Sequence, residues 1–427
     1  MDEPDTSTPA RSPSRRVWHN RNLMILVAGQ WVSQVGNQLF TMAVYWTVLA
    51  QTGSRSDLGF VGSILSLAAV FGLVAGALVD RWNRRRTMIW VDAVRAALAI
   101  ALVVLALGHD LPVVLLVSIV VVMALASELF YPAAGALLPA VVARDELPSA
   151  NGIFQTGTAV AQLAGASLGG VILGLLGPVV LFGFNAASFG VSVATLFLLR
   201  LATAPSPAPA RDAAAGVGTA VRALWRDIAD GQRTIWASPF LRRILPMVVV
   251  ANFAVAPINF LDVAWVRQVL HQGAAVYGLF GAAILVGVLM GSALTSTVAR
   301  RLALRHAAMI QLGVGGLCIF GLSRVPQTVP DLLFLAGFGL CNGLANTMAL
   351  SALQAAVPDR VLGRVFGTLG AFGQLAMPLG GLLSGIGAAL VPIGDLFAGT
   401  GLLLVCSTVL TMGLPNVIEG VQVVEEA

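Results

Sequence analysis

The hydrophobic residues of the chain fall into twelve long runs separated by polar segments. A helix of about 18 residues or more is long enough to cross a hydrocarbon core of about 30 Å. The pattern therefore predicts an all-α integral membrane protein with twelve transmembrane helices, of which the ninth is short. The predicted spans are Leu23–Ala50, Leu58–Val79, Met88–Gly108, Val113–Leu138, Gly152–Leu176, Val179–Leu199, Ile244–Trp265, Tyr277–Val298, His306–Ser323, Leu332–Ala355, Val365–Leu390 and Leu396–Gly413.

One long polar segment, residues 200–243, divides the spans into two sets of six. It opens with LATAPSPAPARDAAAGVG, which is typical of a flexible linker. Apolar residues then recur at helical spacing among arginines, which predicts an amphipathic helix on the membrane surface. We interpret this helix as a connector anchored in the interface, with a regulatory or partner site as the alternative.

The chain is thus expected to have five segments. These are a disordered cytoplasmic tail (1–22), a six-helix bundle (23–199), the cytoplasmic linker with its amphipathic helix (200–243), a second six-helix bundle (244–414) and a cytoplasmic tail (415–427). The N-terminal tail is Pro/Ser-rich and lacks a short apolar core before a cleavage site, so we do not interpret it as a signal peptide.

The two bundles resemble each other in sequence. At an offset of 212 residues, GIFQTGTAVAQLAGASLG from Gly152 matches RVFGTLGAFGQLAMPLGG from Arg364 at seven of eighteen positions. The match joins the fifth predicted helix to the eleventh. Two parallel six-helix halves are an architecture of secondary transporters, with the binding site between the halves near the membrane midplane.

Composition and charge agree with this class. Hydrophobic residues make up 57% of the 427 positions, charged residues only 11%, and the mean hydropathy is +0.87. All 25 basic residues are arginines, and 21 of them lie in segments that share a side if both termini are cytoplasmic. This bias predicts cytoplasmic termini. The net charge of +5 then reflects membrane topology, and no nucleic-acid partner is expected.

Polar residues recur along single faces of several predicted helices. Unpaired polar groups are costly in lipid, so these stripes should face protein or a water-filled cavity. The alternative for any one amide is an interhelical hydrogen bond that only holds the bundle together. The candidates for a substrate cavity are Gln30, Gln34, Asn37 and Gln38 in helix 1, Tyr131 in helix 4, Asn252 and Asn259 in helix 7, and Asn342 and Asn346 in helix 10.

Glu128 is the principal candidate for proton coupling. It lies within the fourth apolar run, which contains no arginine. A carboxylic acid buried without a partner favours its neutral form, so a gradient can load and unload its proton. The alternatives are a permanent pair with a cytoplasmic arginine, a protonated hydrogen-bond donor, or a counter-ion for a cationic substrate.

Other charged residues lie near the ends of predicted helices. Asp262 is the second candidate for proton coupling and lies near the outer end of helix 7, close to Arg267. Its alternative roles are an outer gate and a simple interfacial charge. Asp92 and Arg95 are three residues apart on helix 3. We expect this pair to extend the cytoplasmic charge network rather than to bind substrate.

The stretch GALVDRWNRRR resembles the loop 2–3 signature of the major facilitator superfamily. The resemblance implies a conformational latch, built here from Gly76, Asp80, Arg81, Arg84 and Arg85 and extended by Asp92 and Arg95. Asn83 stands where the signature usually has glycine; asparagine tolerates a positive φ better than most residues.

Three further stretches, GQWVSQVGNQL, YPAAGALLPAVVARDELPSANG and VPDRVLGRVFG, resemble the macrolide-efflux and enterobactin-exporter branch of the same superfamily. The resemblance implies a cavity lined by helices 1, 4, 7 and 10 and export driven by protons. Two antiporter features of the superfamily are absent: Ala166 stands where a proline is expected, and helix 4 has no arginine.

We therefore predict a secondary transporter that exports amphiphilic small molecules, drug-like, macrolide-like or siderophore-like, by proton antiport with alternating access. The alternatives are an importer or a lipid or metabolite transporter without firm proton coupling, and a sensor or accessory subunit on a transporter fold. No nucleotide loop, metal-spaced His/Cys set or nucleophile motif is present, which excludes an enzyme. We expect a monomer in the inner (cytoplasmic) membrane that contacts lipids and needs no metal or cofactor, only a proton gradient.

Overall fold

A computed structural model describes residues 17–79, 82–108, 111–199, 226, 229–298 and 302–414. In these ranges the chain forms twelve helices that correspond to the predicted spans. They are α1 (Arg21–Thr52), α2 (Arg55–Val79), α3 (Arg84–Leu107), α4 (Val113–Leu137), α5 (Leu147–Leu176), α6 (Pro178–Leu198), α7 (Pro239–Ala264), α8 (Ala274–Val298), α9 (Leu304–Arg324), α10 (Thr328–Ala356), α11 (Asp359–Leu390) and α12 (Ile393–Cys406).

Four of these helices contain or continue into turns that are not α-helical, and one of these turns is the 3-10 turn Leu138–Ala140 that follows α4. A π-helical turn, Trp265–Val269, continues α7, and a second one, Ile310–Val314, lies inside α9. A 3-10 turn, Ser407–Gly413, follows α12. The π turn inside α9 lies in the span that the sequence predicts to be short.

Eleven of these helices are long and apolar enough to cross a membrane. The twelfth, α1, has 32 residues, but its glutamines and asparagine reduce its hydropathy. The chain is therefore a multi-pass membrane protein, and the predicted all-α fold of twelve helices is confirmed. We call the side that holds Arg21 and Leu414 the terminus side, and the side that holds Gly53 and His271 the far side.

The helix contacts divide the fold into two bundles of six. In the first half α1 packs on α5 and α6, α3 packs on α4 and α6, and α2 packs on α4. In the second half α7 packs on α11 and α12, α9 on α10 and α12, and α8 on α10. Each contact in one half has its counterpart in the other. The offset of 212 residues relates Leu147 to Asp359, the first residues of α5 and α11.

Two helix pairs, α2 with α11 and α5 with α8, make the main contacts between the halves. Glycines allow this close approach. A Cβ added at Gly170 would lie 2.7 Å from the Cα of Gly278, and one added at Gly59 would overlap the backbone of Gly385. All four glycines lie on the far-side portions of their helices, so the halves are packed together there.

Parts of the predicted tails and linker lie outside the described residues, namely 1–16, 200–225 and 415–427. Within the linker, residues 229–237 are helical. Ile235 is fully buried in a cluster with Val365 and Leu369 of α11, whereas the neighbouring Trp236 is 56% exposed. A Cβ added at Gly231 would overlap Thr368, so this end of the linker packs tightly on α11.

Candidate functional site

The first half encloses a cavity of about 340 Å³ that opens between α1, α2, α3, α4 and α6. Most of its wall is apolar. Its polar lining groups are Asn37, Ser66, Arg95, Ser127, Glu128, Tyr131 and Asn185, with the hydroxyls of Thr41 and Tyr45. Tyr131 is 53% exposed, which shows that the cavity is open to its surroundings. Four of the residues singled out from the sequence thus share one site: Asn37, Arg95, Glu128 and Tyr131.

Glu128 lies at the contact between α4 and α2. It is half-buried, and its Oε2 occupies the space that a Cβ at Gly72 would take. Among the described residues no arginine forms an ion pair with Glu128. Its carboxyl group therefore lines the cavity without an ion-pair partner among the described residues.

Arg95, the other charged residue of this cavity, has partners. Its guanidinium lies 3.2 Å from Asp92 Oδ1, donates to Asn37 Oδ1 at 2.9 Å and stacks over Phe189 at 4.0 Å. Asp92 is fully buried and Arg95 is 6% exposed. The pair is thus held inside the first half by α1 and α6, at the cavity that also holds Glu128.

The second half has a cavity of about 260 Å³ between α7, α9 and α10. Three predicted residues line it, Asn252, Asn342 and Asn346, together with Gln311 of α9. Asn346 is exposed, and its Nδ2 donates to Asn342 Oδ1 at 3.4 Å. No charged side chain lines this cavity among the described residues, so its polar groups are neutral amides.

The remaining amides lie elsewhere. Gln30 is buried and donates to Ser192 Oγ on α6 at 3.3 Å. Gln38 lies against α5, where a Cβ added at Gly165 would be 2.7 Å from its Cβ. Gln34 and Asn259 are part-buried and line neither cavity. The polar face of α1 is therefore shared between the cavity and the packing of neighbouring helices.

Asp262 lies on the far side, between the two halves. It interacts electrostatically with the hydroxyl groups of Tyr45 on α1 and Tyr277 on α8. Tyr45 also lines the first cavity. Arg267 does not pair with Asp262; its guanidinium stacks over the ring of Trp46, 5.2 Å from the ring centre.

A set of contacts joins the halves on the far side. Gln268 accepts from Arg55 Nε at 2.5 Å and donates to the carbonyl oxygen of Gly53 at 3.2 Å. The ring of Trp46 stacks on Tyr277, with 6.4 Å between their centres. We call these residues the far-side seal: Trp46, Gly53, Arg55, Arg267, Gln268 and Tyr277. Both cavities lie on the terminus side of this seal.

Of the predicted latch, Gly76, Arg84 and Arg85 lie at the terminus side of the first half. Gly76 is part of α2, and Asp80 and Arg81 lie outside the described residues. Arg84 donates to the carbonyl oxygen of Ala136 at 3.0 Å, and Arg85 donates to that of Leu196 at 2.8 Å. These two arginines therefore satisfy carbonyl groups at the C-terminal ends of α4 and α6.

Asn83 does not adopt the left-handed conformation that replacement of a signature glycine led us to expect. Its φ is −71°, and its side chain accepts from the backbone N–H of Arg86 at 3.1 Å. It is thus the N-cap of α3, a role for which asparagine is well suited.

Several residues of the site were not indicated by sequence patterns. They are Tyr45, Tyr277, Trp46 and Gln268 on the far side, Gly72 beside Glu128, and Gln311 in the second cavity. One usable signal was present: the chain has only three tyrosines, and each lies close to a cavity or to Asp262.

Comparisons with known proteins agree with this architecture. The sequence profile of the Major Facilitator Superfamily matches residues 26–381. The chain is 27% identical over 384 residues to the multidrug efflux pump Tap of Mycolicibacterium fortuitum, covering 85% of this chain and 88% of that protein. It is 24% identical over 368 residues to macrolide efflux protein A of Streptococcus pyogenes, covering 84% and 87%.

The fold is similar to a crystal structure of the nucleoside transporter NupG, with a TM-score of 0.71, 12% identity and coverage of 92% of this chain and 100% of that one. The predicted likeness to macrolide-efflux proteins is confirmed, and the family is one of transporters, not of enzymes. Because the profile match spans most of the sequence, the chain belongs to the Major Facilitator Superfamily.

Proposed function

We propose that this protein is a secondary active transporter that exports amphiphilic drug-like molecules in exchange for protons. Relatives that align over most of the chain are named multidrug and macrolide efflux pumps. The observation that carries the proposal is the position of Glu128. Its carboxyl group lines a largely apolar cavity and has no ion-pair partner among the described residues.

A carboxyl group without an ion-pair partner in such a cavity has two stable states. Either it is protonated, or it is ionised and faces a polar or cationic group of the bound substrate, which takes the place of the proton. Binding of proton and substrate then exclude each other, which is the requirement for exchange. The Arg95–Asp92 pair carries no net charge, so the protonation state of Glu128 determines the net charge of the cavity.

The opposing cavity supports recognition of varied substrates. The amides of Gln311, Asn252, Asn342 and Asn346 donate and accept hydrogen bonds without adding charge. An amphiphile would place its polar groups against these amides and its apolar surface against the remaining wall. Such a site selects substrates by their amphiphilic character rather than by one molecular shape.

The cycle is proposed to follow alternating access. The far-side seal holds the halves together, while both cavities lie on its terminus side and Asn346 and Tyr131 are exposed. We assign the terminus side to the cytoplasm of the inner membrane, because 21 of the 25 arginines then lie in cytoplasmic segments. The conformation described would accordingly be inward-open.

Asp262 is proposed as a second proton site. It lies on the far side, where it interacts electrostatically with the hydroxyl groups of Tyr277, a residue of the seal, and of Tyr45, which lines the cavity of Glu128. A proton that enters when the seal opens would meet Asp262 first. From there it would pass to Glu128 through the opened cavity.

A susceptibility and accumulation screen tests the export proposal. A drug-sensitive host that expresses the protein would be challenged with macrolides, tetracyclines, aminoglycosides, dyes and siderophores. We expect lower accumulation and higher resistance for one amphiphilic class, lost on treatment with a protonophore and in Glu128→Gln. Asp145→Asn, which removes an exposed loop carboxylate, is the matched control and should retain export.

The other outcomes separate the alternatives. Higher accumulation would indicate import, and export that survives both the protonophore and Glu128→Gln would contradict proton coupling. A change in the host's response without any change in accumulation of these compounds would favour the sensor or accessory role.

A further inference from the structure

Asp331 is a buried carboxylate for which the proposed transport cycle has no role. It lies in the first turn of α10 on the far side and is fully buried. Its Oδ2 accepts a hydrogen bond from Trp265 Nε1 at 2.8 Å. Its Oδ1 is buried without a hydrogen-bond partner, and none of the ion pairs among the described residues involves Asp331.

The helix terminus and the indole together stabilise this carboxylate. Asp331 lies in the first turn of α10, where the positive end of the helix dipole favours an acid. The indole N–H of Trp265 adds a hydrogen bond to a charged acceptor, which is stronger than one between neutral groups. The Asp331–Trp265 contact is therefore a strong link between α10 and α7.

Trp265 is the first residue of the π-helical turn that continues α7. Its side chain is 1% exposed and packs on Phe397 of α12, with 5.2 Å between ring centres. The Asp331–Trp265 hydrogen bond thus joins the start of α10 to this turn through a side chain that is almost fully buried.

The same π turn carries two residues of the far-side seal. Arg267 stacks over Trp46, and Gln268 bonds to Arg55 and to Gly53, all three in the first half. A π turn contains one residue more than an α turn of the same register, and such turns are found frequently at functional sites. Here it directs Trp265 into the second half and the next polar side chains towards the first half.

We propose that Asp331 is a positioning residue for the far-side seal. By holding Trp265, it fixes the orientation of the π turn, and the turn then presents Gln268 and Arg267 to the first half. Loss of the hydrogen bond releases the turn, weakens the contacts across the seal and raises the fraction of molecules that are open on the far side.

A double-mutant cycle tests this proposal. The background has Cys318, Cys341 and Cys406 replaced and carries Val44→Cys. Val44 is 1% exposed and lines the first cavity on the terminus side of the seal, so a reagent from the far side reaches a thiol there only when the seal opens. The readout is its rate of labelling, from the far side of membrane vesicles, by a charged thiol reagent.

Trp265→Phe removes the N–H donor and keeps a ring against Phe397. We expect labelling to be faster by about tenfold, the effect of one lost hydrogen bond to a charged group. Asp331→Ala should give a similar increase, and the double variant should label no faster than the stronger single variant. Asp331→Asn, which keeps an acceptor oxygen and the side-chain volume, should give a smaller increase.

Arg324→Gln is the control. It breaks the partly exposed Arg324–Asp395 pair, 3.7 Å long, which joins α9 to α12 on the same side, and it should leave labelling unchanged. Wild-type labelling in Trp265→Phe, or increases that multiply in the double variant, would overturn the proposal. The assay needs neither a drug nor a proton gradient, so failure of the proposed export function leaves its outcome unaffected.

Discussion

The Oε2 atom of Glu128 on α4 occupies the space in which a side chain at Gly72 on α2 would begin. The absence of a Cβ at Gly72 is therefore what admits the carboxyl group to the contact between these two helices. In the second half, the equivalent helices α8 and α10 pack glycines against backbone at Gly291 and Gly343. The two halves share this helix arrangement, but in the first half an acidic side chain occupies the contact between the two helices.

Gly72→Ala should therefore impair proton coupling although it changes no polar group. The added methyl group overlaps the carboxyl oxygen and moves it, and a displacement of about 1 Å in a reactive group can cost about a hundredfold in rate. The measurement is drug-driven proton movement in proteoliposomes. Gly135→Ala, on α4 with open space around it, is the control, and equal effects of the two variants would contradict the assigned position of Glu128.

Gly170→Ala should favour the state that is open on the far side. Its Cβ would lie 2.7 Å from Gly278 Cα, and overpacking of this kind typically costs about 1–3 kcal/mol. The cost falls on the closed far-side contact, because α5 and α8 meet there. Gly174→Ala, one turn further along α5 with its nearest neighbours 3.9 Å away, should have no such effect. Distances between spin labels on the two halves measure the shift, and an unchanged distribution in Gly170→Ala would refute it.

Asp92→Asn should destabilise the protein strongly. It leaves the guanidinium of Arg95, 6% exposed, without its carboxylate, and breaking a buried pair in this way costs about 3–5 kcal/mol. Thermal unfolding in detergent is the measurement. Asp230→Asn removes an acid from an exposed pair, so it should change the unfolding midpoint little. A double variant, Asp92→Leu with Arg95→Met, should be more stable than Asp92→Asn, since it leaves no unpaired charge.

Arg85→Gln should weaken the end of α6 more than Arg86→Gln does. Arg85 donates to the carbonyl oxygens of Leu196 and Phe197, whereas Arg86 is exposed. Such contacts at a helix C-terminus are each worth about 0.3–1 kcal/mol. Hydrogen exchange of α6 amides reports the difference. Equal exchange in the two variants would show that the Arg85 contact contributes nothing to the helix end.

The apolar runs predicted the helices well because span length is set by bilayer thickness, a constraint that acts on every helix alike. The repeat between Gly152 and Arg364 also predicted the correspondence of α5 and α11, whose first residues are 212 positions apart. Spacing within one helix was equally informative. Asp92 and Arg95, three residues apart, do form a pair.

The sequence patterns could not predict which side chains of different helices contact each other. The polar stripe on α1 predicted one face, yet Asn37 reaches Arg95 whereas Gln30 turns to Ser192. Asp331 lies one residue before the predicted span Leu332–Ala355, and nothing in the sequence relates it to Trp265, 66 positions away. These contacts depend on helix rotation and crossing, which single-helix periodicity does not determine.

Proton release on drug binding is the most direct test of the central claim that Glu128 exchanges a proton for substrate. Purified protein in weakly buffered detergent solution is mixed with a drug identified in the susceptibility screen, and the pH of the solution is followed with an indicator dye. We expect proton release by the wild-type protein and by Asp145→Asn, and none by Glu128→Gln. Undiminished release by Glu128→Gln, at a drug concentration that saturates both proteins, would show that Glu128 is not the source of the proton.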